Sequence, residues 1–198
     1  MTDSPKFETS ADLLTRSLQE HVATFQSLMH EAIPQIQKTG EAILEALRKG
    51  NKILLCGNGG SAADAQHIAA ELVGRYEKKR RAWPAIALTT DTSALTALSN
   101  DYGYNEVFAR QVAGLASTGD VLIAISTSGK SPNVIRAAEQ ARAIGCRTIA
   151  LTGAGAEPLA SICDWAVIVS SDRTSRVQEA HIAIGHLWCE MIDEFGAR

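Results

Sequence analysis

The chain has 198 residues, 45% hydrophobic and 21% charged, with a net charge of −3. That length suits one domain that buries a core without disulfide or metal staples, and the apolar fraction excludes a disordered chain. No run of about 18 apolar residues exists, which excludes a membrane-spanning helix, and the weakly acidic balance argues against a nucleic-acid partner held on a basic face.

The N-terminal stretch MTDSPKFETSADLL has no basic start followed by an apolar block, so it does not read as a secretory signal. From there the first 50 residues read as helix. Leu13, Leu14, Leu18, His21, Val22, Phe25, Leu28 and Met29 recur at three- and four-residue spacing. Pro34 breaks or restarts the pattern, and a second helix runs through Ile36, Ala42, Ile43, Ala46 and Leu47 to Gly50-Asn51. These two helices form an extension, residues 1–50, that must pack on the remainder, 51–198, or on another subunit. The whole is expected to be one structural domain.

After Asn51 short apolar runs alternate with helical periodicity. Strands are predicted at 52–57, 85–90, 120–127, 147–153 and 165–171, with helices at 61–76, 93–115, 131–144 and 174–195. The strands are continuously apolar, as a sheet covered on both faces requires. The prediction is an α/β fold: a doubly wound, five-stranded parallel sheet flanked by helices, with the N-terminal helical extension. Ligands of such sheets bind beyond the carboxyl ends of the strands.

The loop after the first strand is GNGGSAADAQH. Its glycines permit a tight turn and close approach to a ligand, and Ser61 is placed to cap the next helix. It is neither GxGxxG nor a P-loop, and a purely structural turn remains an equal reading. In that helix His67 and Glu71 stand four residues apart, on one face. Such a pair binds a divalent metal when another element adds ligands, and is otherwise a surface ion pair. The basic run at 76–81 (YEKKRR) reads as a solvated helix C-terminus matched to the dipole. After the second strand, Asp91 and Ser93 are placed to start a helix, while Asn100 and Asp101 are either a turn or a polar wall for sugar hydroxyls.

The third strand ends in STSGKSPN. Ser126, Thr127, Ser128 and Ser131 offer four hydroxyls beside a helix start at Ser131 or Pro132, a suitable phosphate or sugar-phosphate cradle. The last helix carries Gln178, His181 and His186; Gln178 and His186 are two turns apart. Nothing in the spacing alone connects this helix to the one bearing His67. Cys56, Cys146, Cys163 and Cys189 form no CxxC pair and read as buried thiols of a reducing cytoplasm, the expected location.

Taken together, GNGGSAADAQH, AAELVGRY, ALTTD…SND, ISTSGKSPNVI and RVQEAHIAIGH resemble the sugar-isomerase (SIS) domain, and within it the bacterial phosphoheptose isomerases. The resemblance implies a homotetramer with active sites at subunit interfaces. It implies sedoheptulose 7-phosphate as substrate and zinc, one per subunit, held by His67, Glu71, Gln178 and His186. It implies phosphate contacts at Ser126, Thr127, Ser128 and Ser131, and further substrate contacts at Asn58, Gly59, Gly60, Ser61, Glu71, Asn100, Asp101 and Gln178. Ketose–aldose isomerisation through an enediol needs a carbon base and a second group for the oxygen protons; Glu71 and His186 are the expected pair. A related tetrameric protein that binds the replication initiator DnaA shares the fold and is the alternative; the presence of both His67 and Glu71 favours the enzyme. Arg81 stands where the family often has proline, and Glu157-Pro158 where relatives are often richer in glycine.

Overall fold

The computed structural model describes residues 9–196. Helix α1 (Ser10–Ser27) opens on a capping box, in which Thr9 Oγ1 accepts from Asp12 N and the Asp12 carboxylate accepts from Thr9 N. It does not break at Pro34. It widens into one π turn (Leu28–Ala32) and continues as α2 (Ile33–Arg48). Proline lacks an N–H and its ring clashes with the carbonyl four residues back, and a wider turn just before it relieves both.

The sheet then forms as the apolar runs require: β1 (Ile53–Cys56), β2 (Ala85–Ala87), β3 (Val121–Ser126), β4 (Arg147–Thr152) and β5 (Trp165–Ile168). All pairs are parallel, in the order β2-β1-β3-β4-β5. Alternate residues of each strand serve two cores. Ile53, Leu55, Ile123, Ile149 and Leu151 pack in the core that contains α2, α3 (Gly60–Val73) and α8 (Thr174–Phe195); Leu54, Cys56, Leu122, Ala124 and Ala150 pack with α5 (Val107–Leu115) and α6 (Pro132–Ile144). Both faces are covered, which is why the strands read as unbroken apolar runs.

The extension is part of this structure. Ile36, Ile43, Leu44 and Leu47 of α2 are buried in the same core as α8. Trp188 of α8, 1% exposed, donates its Nε1 to the Ile36 carbonyl and to Thr39 Oγ1, both at 3.1 Å. Truncating a buried aromatic of this kind costs about 3–5 kcal/mol. By contrast Leu13, Leu14, Leu18 and Val22 of α1 are exposed.

Further sequence expectations need correction. The helix predicted at 93–115 is two helices, α4 (Thr92–Tyr102) and α5, separated at Gly103 (φ +83°) by a single turn at Tyr104–Glu106. The helix predicted at 61–76 ends at Val73, and a four-residue helix, α7 (Leu159–Ile162), was not foreseen. The basic run at 76–81 is not simply a solvated helix end. The Arg80 side chain is 9% exposed and ion-paired to Asp193 of α8 at 2.6 Å. Among the described residues no helix is long and apolar enough to cross a membrane.

Candidate active site

Strand order reverses between β1 and β3, so the loops leaving their carboxyl ends flank a topological switch point, where doubly wound sheets bind ligands. The loop after β1 carries Asn58, Gly59 and Gly60; the loop after β3 carries Thr127, Ser128 and Ser131. A reciprocal amide pair joins the first loop to the first turn of α6, which follows the second. Asn58 Nδ2 donates to Asn133 Oδ1 and Asn133 Nδ2 donates to Asn58 Oδ1, each at 2.9 Å. The Tyr104 hydroxyl donates to Asn58 Oδ1 at 3.0 Å.

Gly59 has φ +57° and ψ −120°, a backbone open to glycine, and this sharp turn starts α3 at Gly60. Ser61 therefore lies inside the helix, 3% exposed, and is not its cap. Gly60 is needed for a different reason. A Cβ there would lie 2.3 Å from Gln178 Nε2, so the glycine makes room for the α8 side chain.

In the second loop Ser126 Oγ and Ser131 Oγ are 3.0 Å apart, and Ser128 Oγ accepts from Lys130 N at 3.2 Å. Ser131 is the N-cap residue of α6, but its hydroxyl makes no capping bond, and Pro132 follows in the first turn. The hydroxyl is thus turned towards Ser126, and the loop presents hydroxyls at the switch point as its composition predicts.

Helices α3 and α8 lie side by side and bring together residues 119 positions apart. His67 Nε2 stands 3.2 Å from His186 Nε2, and 3.4 Å from Glu71 Oε1. The rings of Tyr76 and His186 are 5.4 Å apart, tilted by 31°. The trio is open to solvent, with the His67 side chain 47% and Glu71 26% exposed. Asp64 lies one turn before His67 on the same helix face. Its Oδ2 is buried without a hydrogen-bond partner, and burial pushes its carboxyl up to about 6, with His67 opposing the shift. Asp64 and Tyr76 were missed. The three-residue spacing from Asp64 to His67 was a legible signal; the fold back of Tyr76 onto α8 was not.

Other expected site residues stand apart in the single chain. Gln178 is beside Gly60, eight residues before His186, or about 12 Å of helix. Asn100 and Asp101 are exposed near the end of α4, with Asn100 Nδ2 donating to Asp101 Oδ1 at 2.9 Å. Among the described residues no three His, Cys, Asp or Glu side chains close into one metal-holding group; the contacts meet pairwise around His67.

The SIS-domain family model matches residues 16–153. A phosphoheptose isomerase from a Nitratiruptor species is 56% identical over 181 residues, covering 91% of this chain and 97% of that protein. The chain belongs to the phosphoheptose isomerase family of SIS-domain proteins. Solved structures of family members agree. Phosphoheptose isomerase GmhA from Neisseria gonorrhoeae superposes with a TM-score of 0.89 at 42% identity, over 94% of this chain and all of that one. The Francisella tularensis phosphoheptose isomerase gives 0.91 at 36% identity, over 94% and 99%. Nothing in these comparisons favours the initiator-binding relative.

Proposed function

We propose that the chain interconverts sedoheptulose 7-phosphate and D-glycero-D-manno-heptose 7-phosphate through an enediol, the first step towards bacterial surface heptose. The observation that carries this reading is the meeting of Glu71, His67 and His186 on two helices of a phosphoheptose isomerase fold. Glu71 takes the C1 proton of the ketose and returns a proton to C2. His186 moves protons on the oxygens at C1 and C2. Positioned acid–base groups of this kind contribute about 10²–10⁴-fold each. Ser126, Thr127, Ser128 and Ser131 bind the phosphate; Asn58, Gly59, Gly60 and the start of α3 line the sugar, with Asn100, Asp101 and Gln178 as further contacts.

Zinc, one per subunit, belongs to the same proposal. Zinc bonds of roughly 2.0–2.1 Å place tetrahedral ligand atoms about 3.3–3.4 Å apart. The 3.2 Å His67–His186 and 3.4 Å His67–Glu71 separations fit such edges, and imidazole and carboxylate suit the ion. Zinc would be held by His67, Glu71 and His186, with Gln178 or another donor completing the set, and would supply a Lewis acid for the ketose carbonyl. Glu71 would remain the carbon base if it held that ion loosely.

The active form is proposed to be a cytoplasmic homotetramer with sites at subunit interfaces. The exposed Leu13, Leu14, Leu18 and Val22 of α1 support association. So does the open trio, because Glu71 lies about 16 Å of helix beyond the glycine turn and a neighbouring chain is needed to enclose it. Four unpaired cysteines support a reducing compartment.

The enediol is tested by running the reaction in D₂O. Deuterium at C2 of the aldose is expected. Turnover that leaves none even after many cycles at equilibrium would replace proton transfer by a hydride shift.

A further inference from the structure

The segment between α3 and β2 is tied to α8 by one buried ion pair. The Arg80 and Asp193 side chains are 9% and 3% exposed, with Arg80 Nε 2.6 Å from Asp193 Oδ1. The remaining polar atoms are spent on backbone. Arg80 donates through Nη2 to the Glu71 carbonyl at 2.7 Å and through Nη1 to the Leu72 carbonyl at 2.8 Å. These two carbonyls belong to the last turn of α3, where helix acceptors lack intrahelical donors. Asp193 Oδ2 accepts from the amides of Glu77 and Lys78, each at 2.8 Å. The pair therefore grips three things at once: the turn of α3 that carries Glu71, the loop that carries Tyr76, and the last turns of α8.

The geometry of the trio depends on those three pieces. Glu71 and His67 ride on α3, His186 rides on α8, and Tyr76 packs against the His186 ring. Apolar contact between the helices resists separation but is tolerant of sliding. A guanidinium fork bonded to two successive carbonyls is directional and is not.

We propose that Arg80 and Asp193 are positioning residues for the isomerisation, fixing the last turn of α3 against α8 so that Glu71 and His186 face the same substrate carbons. This rests on the assignment of Glu71 and His186 made above. Neither residue touches substrate. Their loss is felt in the turnover step, because small misplacement of reacting groups costs up to about 10²-fold in rate, while the hydroxyl loop at the β1–β3 switch point is left intact.

The test uses the full-length chain with sedoheptulose 7-phosphate. Arg80→Lys keeps the charge and loses the fork; Asp193→Asn keeps an acceptor and loses the charge. For both, kcat is expected to fall about ten- to a hundred-fold with KM within about threefold of wild type, and circular dichroism and assembly size unchanged at the assay temperature. The double variant should cost little more than either single one, as for two halves of one device. Should Asp193→Asn not fold, Asp193→Glu is read in the same way. Folded variants with wild-type kcat overturn the proposal, as does a rise in KM alone. Failure of all these variants to fold also overturns it, in favour of a purely structural pair. An inactive wild-type chain would instead sink the catalytic reading itself. Activity that Glu71→Gln abolishes, with the positioning variants unaffected, would sink only this inference.

Discussion

His67 Nε2 lies 3.2 Å from His186 Nε2 because Gly185 lets α8 settle directly onto Ile68 of α3. A Cβ at position 185 would lie 2.6 Å from both Cδ1 and Cγ1 of that buried isoleucine. The contact joins the facing edges of the two rings, and which nitrogen donates is set by the tautomers. Gly185→Ala must push the helices apart or force Ile68 off its rotamer, at a cost of about 1–3 kcal/mol. Isomerase kcat is expected to fall with it. Urea unfolding and steady-state kinetics on one preparation check both; a variant with native stability and rate would contradict the close-packing account.

Metal removal has a defined expectation. Zinc-loaded protein freed of excess ion should hold about one zinc per chain, the number one tetrahedral site takes. His67→Ala should bind it at least about tenfold more weakly. Elemental analysis and titration with a chromophoric chelator give the count and affinity. An unchanged affinity would remove His67 from the ligand set.

The hydroxyl loop depends on Gly129. Its φ is +67°, and a Cβ would lie 2.4 Å from the Ala156 backbone oxygen, which no side-chain rotation relieves. Gly129→Ala should destabilise the protein by more than about 1 kcal/mol and raise KM for the sugar phosphate, because the loop proposed to bind the phosphate cannot keep its shape. A wild-type KM in the folded variant would place the phosphate elsewhere.

His181 carries the acid sensitivity of the core. It is fully buried, and neither ring nitrogen makes a hydrogen bond of normal geometry. Burial lowers it to about 4 from an ordinary 6.5, with the Thr152 backbone opposing the shift more weakly. The neutral ring is the folded form. Its stabilising contribution is present above pH 6.5 and is lost as the pH falls towards 4, a total of about 3 kcal/mol. His181→Leu should flatten this part of the pH dependence while staying near wild-type stability at about pH 7. Denaturant midpoints at neutral pH and near the lowered pKa decide it; parallel losses in both proteins would contradict the assignment.

The sheet and the two loops at its switch point were legible because their causes are local. Unbroken runs such as VLIAIS give a strand covered on both faces, and glycines and hydroxyls after a strand give a ligand loop. The convergence of His67, Glu71 and His186 was implied by family resemblance but not by spacing, since α3–α8 register is set by Gly185 on Ile68 and Gly60 on Gln178. Long-range polar contacts were the least legible. Arg80 reads as one charge in a basic run until its partner, 113 residues away, is seen. Asn133 gave no signal because its pairing with Asn58, 75 residues away, depends on the first turn of α6 meeting the loop after β1. Ser61 was misplaced as a cap because Gly59 turns the chain two residues sooner than the hydroxyl suggests.

The most direct test of the catalytic account is turnover of sedoheptulose 7-phosphate by the purified chain beside Glu71→Gln. The account predicts aldose formation by the wild type and a loss of at least about a hundredfold in kcat in the variant, with both proteins equally folded. A wild type that forms no aldose with zinc supplied, or a Glu71→Gln protein that turns over at the wild-type rate, would contradict it.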